Sequence, residues 1–365
     1  MTAQILPEFA NVCMVCLIAT VEHREEFFGT GQSNLNTSSI LEKNMQTQIR
    51  LVAVAAALVA AGAAQAAVSF DANLEHDVLF KGKQGATSSA TSNGGRVELN
   101  ANAALVKSGD NFVNAKATVT VPTGSGDNVG IDDAWIQFGN SAADLKIGRQ
   151  EAADLFPLGK DVVVEAAGGA SGYRANALRG RIKTGQLHAV AGLNAAPGLR
   201  FELGLVTEKS GNSYGLRPTM VYTAGPLTLR AGIESIKQDA YAKNTDGFVG
   251  GVFTRTTENI AANSSTGYGL SAGYSLGQGV GLNVNYGKNS DLNASSVGVN
   301  AVFGDAGVGM VQDKTAANKA TTYYAAYSFP LMGVKGASIT PALSTSKATG
   351  VDNLTAFKVR LNYAF

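Results

Sequence analysis

Three cations, Arg179, Arg181 and Lys183, recur at a spacing of two, directly after a stretch that carries Glu151, Asp154, Lys160, Asp161, Glu165 and Arg174. In a strand, that spacing places side chains on one face. Cations facing carboxylates across a narrow, wet passage create a transverse field, which favours ionic and polar solutes over apolar ones. The plainer reading is that these charges solvate a loop or pair up to hold it. Arg149, at the entrance to the stretch, completes the group.

Other chemistry has less to work with. Cys13 and Cys16 form a C-x-x-C without a second pair, and the lone His23 is the nearest histidine, so neither a metal centre nor a redox pair is expected. An enzyme would need a nucleophile, a base and an orienting group. There is no G-x-S-x-G, and beyond position 66 only His76 and His188 could act as imidazole bases. No cofactor and no catalytic residue are assigned.

The elements that position the charges show one period. Val97, Leu99, Ala101, Ala103 and Leu105 alternate with Arg96, Glu98, Asn100 and Asn102. Val113 to Val121, Leu227 to Ile233, and Phe357 to Phe365 repeat the pattern, which is that of a two-faced strand. Such strands fit a sandwich with apolar faces inward or a barrel with apolar faces in lipid. Segments of about 9–12 residues suit tilted strands that cross a bilayer. Short links such as Ser108-Gly109-Asp110, Gly225-Pro226 and Gly277-Gln278-Gly279 alternate with the longer 81–94, 150–178 and 237–265. The reading is all-β: a transmembrane antiparallel β-barrel of sixteen strands, the sixth running over 179–194. That size holds an aqueous channel. The inward parity of Arg96, Lys116, Arg200, Arg230, Lys358 and Arg360 could extend a basic wall, while the parity of Trp135 is ambiguous.

Composition agrees. The chain is 45% hydrophobic and 16% charged with 43 glycines, too apolar to be disordered. A net charge of +1 argues against nucleic acid as a partner. From Met45, a basic segment ending at Arg50, an apolar run Leu51–Ala64 and the small-residue site Ala64-Gln65-Ala66 have the layout of a secretory signal peptide. Residues 1–44 are then expected not to be translated, 45–66 to be the signal peptide and 67–365 the barrel.

Over residues 67–365 the chain resembles the porins of the Gram-negative outer membrane. The sharpest match is the terminus LNYAF, with Phe365 last and Tyr363 two before it, similar to the assembly signal of such barrels. DDAWIQFGN and DLKIGRQ, ending at Arg149-Gln150, are similar to the strand pair that feeds a third loop folded into the lumen. EAADLFPLGKDVVVEAAGGASGY would be that loop; it lacks the usual Pro-Glu-Phe-Gly-Gly type motif, and DLFPLGKD is closer to the carbohydrate porins.

The resemblance implies passive diffusion of ions and small hydrophilic solutes, with a sugar-preferring porin as the alternative. A structural, adhesive or enzymatic barrel is the reading from another class. Implied partners are outer-membrane lipid, periplasmic chaperones, the barrel-insertion machinery and two further copies in a homotrimer. The mature protein is expected to begin at Ala67. An intact-mass measurement of the membrane form that found any residue before Met45 would overturn this.

Overall fold

In the computed structural model, the described residues are 67–124, 129–164, 171–180, 186–208, 211–249 and 252–365. The expected signal peptide and the 44 residues before it lie outside them, as do Glu165, Arg181 and Lys183. Nineteen strands follow one another: β1 Ala67–Lys81, β2 Ala90–Ser108, β3 Asn111–Pro122, β4 Gly130–Gly139, β5 Ala143–Arg149, β6 Gln186–Ala196, β7 Leu199–Glu208, β8 Ser213–Ala224, β9 Leu227–Gln238, β10 Tyr241–Val249, β11 Val252–Ile260, β12 Asn263–Gly277, β13 Val280–Asn289, β14 Ala294–Phe303, β15 Ala306–Lys314, β16 Lys319–Tyr327, β17 Phe329–Pro330, β18 Ala337–Ala348 and β19 Val351–Ala364.

All but β10 and β11 form one antiparallel sheet, and the two-residue β17 continues β16 along β18. Sixteen staves therefore close on themselves, β1 pairing with β2 on one side and β19 on the other. The final residue completes the seam: Phe365 and Ala72 exchange both backbone bonds, at 2.8 and 2.9 Å.

Parity explains why the sheet closes. Outward positions are apolar and uncovered, with Leu270, Val284, Tyr323 and Leu343 each more than half exposed. Inward positions are polar and covered, among them Ser271, Asn285, Asn300, Thr322 and Ser344. This inverts a soluble protein and matches a lipid-spanning barrel. No helix among the described residues is long and apolar enough to cross a membrane. In lipid, open sheet edges would leave backbone groups unpaired at several kcal/mol each, and closure removes those edges. Outward aromatics pair near the strand ends: Tyr327 with Phe329 at 4.4 Å and Tyr363 with Phe365 at 5.2 Å between ring centroids.

Two boundaries differ from the sequence reading. The sixth stave begins at Gln186, not at residue 179; Arg179 lies in a turn, its amide bonded to the Asn176 carbonyl. The loop expected over 237–265 contains the hairpin β10–β11, which pairs by itself beyond the barrel wall. Its residues can satisfy their backbone groups by pairing without presenting one apolar face, so alternation did not reveal them. The long connections lie at the end away from the termini, as expected, but 209–212, 290–293, 315–318 and 349–350 at that end are short.

The terminal row gives a prediction about assembly. Deleting Phe365 removes both bonds to Ala72 and the ring stacked on Tyr363, so secretion should continue while insertion fails. Normal amounts of heat-modifiable barrel in the outer membrane of the deletion strain would contradict this.

Candidate functional site

The stretch after β5 turns inward and lies along the inner wall. Leu155 and Phe156 are buried against β9, β12 and β14, where the wall is glycine. A Cβ at Gly269 would lie 2.6 Å from that of Ala175, and one at Gly298 would lie 2.8 Å from the Phe156 ring. Real side chains do not approach so closely, so glycine lets the loop backbone bed into the wall. Asn285 and Asn300 each donate to the Pro157 carbonyl at 2.7 Å, and the Tyr324 hydroxyl donates to the Leu158 carbonyl at 2.6 Å. Farther on, Val163 packs with Ala326, Ala342 and Ala356 on β16, β18 and β19. One face of the barrel, from β8 round to β19, is thus lined by the loop.

A buried ionic node holds the returning arm. Arg217 on β8 and Glu234 on β9 pair at 2.9 Å with side chains 1% and 0% exposed. Glu234 also accepts from the Tyr173 hydroxyl and from the amides of Ala177 and Leu178. Arg217 donates to the Ala175 carbonyl and the Asn176 side chain, both at 3.1 Å. Burial, and then the neighbouring Glu234 carboxylate, push the Tyr173 hydroxyl far above the usual tyrosine range, so it remains a donor. A buried pair is costly to desolvate, and its partners' additional hydrogen bonds offset that cost. Here those bonds come from the loop.

The residues singled out in the sequence divide into groups. Glu151, Asp154 and Arg179 come together at the two ends of the loop, whereas Arg174 reaches the wall instead. Arg179 reaches Glu151 at 3.2 Å and Asp154 at 3.7 Å, while Arg174 pairs with Asp313 of β15 at 2.9 Å. Asp154 also accepts from the Phe156 amide and from Asn176. Lys160 donates to the Asp305 carbonyl at 2.6 Å, at the short-turn end. Asp161 is exposed and acts electrostatically on Arg360 of the wall. Arg149 takes the apolar parity of β5 at the strand end, where its Nε donates to the Ile131 carbonyl at 2.9 Å.

The wall that the loop leaves bare is charged, and its charges are matched. Arg360 makes a two-point bond to Asp77 at 2.7 and 2.8 Å, Arg96 meets Glu98 at 2.6 Å, and Lys116 meets Asp133 at 2.9 Å. Arg200 pairs with Asp144 at 2.7 Å and Glu202 at 3.0 Å. Arg96 keeps 44% of its side chain exposed, so water reaches this side. Trp135 faces inward, with the Lys146 ammonium 4.6 Å from the ring centroid.

The sequence reading did not single out Arg217, Glu234, Tyr173 or Asp313. The available signal was opposite charge at inward parity on neighbouring strands, Arg217 on β8 and Glu234 on β9.

Glu234→Ala should leave Arg217 as an uncompensated buried cation, at a cost of about 3–5 kcal/mol. We expect a lower thermal midpoint and a larger, noisier single-channel current, with the heat-modifiable barrel retained. Unchanged current and midpoint would mean that the node does not hold the loop.

The comparisons with known proteins agree with this geometry. The family model described as porin-like glycoporin RafY matches residues 57–192. A comparison with curated protein sequences gives no match. Among solved structures, the anion-selective porin from Comamonas acidovorans is similar with a TM-score of 0.59 at 14% identity, over 82% of this chain and 100% of that one. OmpT of Vibrio cholerae, in vitro folded in its trimer form, gives 0.55 at 14% identity, over 82% and 99%. A mutant of the Rh. blastica porin gives 0.54 at 13% identity, over 82% and 100%. At such identities these structures show the fold. The sixteen-strand barrel with its inverted faces is thus the fold of these outer-membrane porins, and the porin-like family model matches its N-terminal part, residues 57–192.

Proposed function

We propose that the protein is a non-enzymatic, water-filled channel for passive diffusion of ions and small hydrophilic solutes, constricted by the loop arms between residues 150 and 180. The observation that carries this reading is the loop's attachment along the β8–β19 wall, opposite a charged wall that remains wet. In this reading Glu151, Asp154, Lys160, Asp161, Arg174 and Arg179, with Glu165, Arg181 and Lys183, belong to the constriction. Most described arginines have acidic partners, so the net field is weak and selectivity is close to neutral, with a slight preference for anions. At physiological salt, charges act over about 8 Å, so those at a constriction still matter.

Two features favour a sugar-preferring channel as the second reading: the glycoporin description of the matching family model and the inward indole of Trp135. An aromatic face and adjacent polar groups suit a sugar ring. The trimer form of a similar fold supports a homotrimer here. The signal layout from Met45 supports export through the periplasm.

Planar-bilayer recording under a potassium chloride gradient tests the proposal. The reversal potential should lie near zero, displaced slightly to the anion side. Replacing Asp154 and Asp161 by Asn should move it further that way. If it does not move while conductance is normal, the loop is not the constriction. Block by a neutral oligosaccharide that disappears in Trp135→Ala would favour the sugar reading, and the lack of any block in the unaltered protein would reject it.

A further inference from the structure

Six described arginines of the lumen wall or the loop, Arg96, Arg174, Arg179, Arg200, Arg217 and Arg360, have a carboxylate within ion-pair distance. Arg230 differs in having no carboxylate within ion-pair distance among the described residues, and its Nη1, like that of Arg217, is buried without a hydrogen-bond partner. It takes the inward parity of β9, opposite Ser271 of β12, which is in turn opposite Asn285 of β13. The Ser271 hydroxyl and Asn285 Oδ1 are also buried without partners, as is the Thr219 hydroxyl one inward step along β8 from the position facing Arg230. Ser271, Asn285 and Thr219 are 6%, 1% and 5% exposed.

Buried polar atoms are nearly always paired, and three further orphans at neighbouring inward positions beside one unmatched cation call for a ligand-based explanation. Their chemistry is specific as well. Arg230 and the two hydroxyls can donate to an oxyanion. Asn285 already donates through Nδ2 to the Pro157 carbonyl at 2.7 Å, which fixes its amide and leaves Oδ1 as an acceptor. An acceptor beside an anion site selects a ligand that also carries a hydroxyl. The anchored arm of the loop roofs the row, since Pro157 bonds to the same Asn285.

We propose that Arg230, Ser271, Thr219 and Asn285 form a subsite for a hydroxylated organic anion, a sugar acid or a sugar phosphate, with the oxyanion on Arg230 and Ser271 and a ligand hydroxyl on Asn285 Oδ1. The subsite rests on the channel reading only for how the ligand arrives. It gives a lumen whose other inward arginines among the described residues are paired with carboxylates one local preference for anions.

Isothermal titration of the purified protein in neutral detergent tests the subsite independently of conduction, with gluconate, glucose 6-phosphate, acetate and glucose as probes. Gluconate and glucose 6-phosphate should bind more tightly than acetate, and glucose should bind least. Arg230→Gln should weaken both hydroxylated anions by about tenfold to a hundredfold, and Ser271→Ala by about fivefold. The heat-modifiable band reports folding, and Ser271→Ala decides alone if Arg230→Gln does not fold. Unchanged gluconate affinity in the variants, glucose binding as tightly as gluconate, or no anion binding to the unaltered protein would each overturn the subsite. Normal ion currents without gluconate binding remove the subsite and spare the channel; binding without currents does the reverse.

Discussion

Every backbone donor and acceptor at membrane depth must find its partner inside the protein, and the rest of the structure follows from that requirement. It forces β1 against β19, which brings the two ends of the barrel sequence together, with Phe365 bonded to Ala72. Once the sheet is closed, alternation decides what each residue faces. Leucine, valine and tyrosine go to lipid, whereas asparagine, serine, charges and glycine go to the inside. The chain needs no apolar core of the usual kind. Its buried apolar clusters are small and join loop residues such as Leu155, Phe156 and Val163 to the inner wall.

Inside, the two halves of the wall carry different side chains because they do different work. From β8 to β18, glycines and short polar residues accept the loop, and one ionic node of Arg217, Glu234 and Tyr173 fixes its returning arm. From β19 through β7, long charged residues stand in a ladder of matched pairs. Matching serves two ends. It lowers the cost of holding charges near protein backbone, and it keeps any one ion from being trapped for long. An unmatched Arg230 stands out against that background.

Much of this was legible in the residues. Period two marked most staves because each has lipid on one side and water on the other, and a strand such as Val113–Val121 has little freedom to read otherwise. The charged stretch after Arg149 was visible as a group. Its pairing was not, because the partners of Arg174 and Tyr173, namely Asp313 and Glu234, come from strands far along the chain. Arg179 was assigned to a strand face with Arg181 and Lys183, but it sits in a turn and bonds to the loop's own acids. The hairpin Tyr241–Ile260 was hidden for a related reason: pairing outside the membrane needs no clean division of faces.

The reach of the loop also orders events in time. Val163 packs against Ala356, nearly two hundred residues later and on the last strand. That contact cannot form while the C-terminal strands are still unplaced, and long-range contacts form late because the chain entropy must be surrendered first. The contact of the loop arm with Ala356 forms only when β19 arrives, so the strand that seals the wall against β1 is also one on which the loop rests.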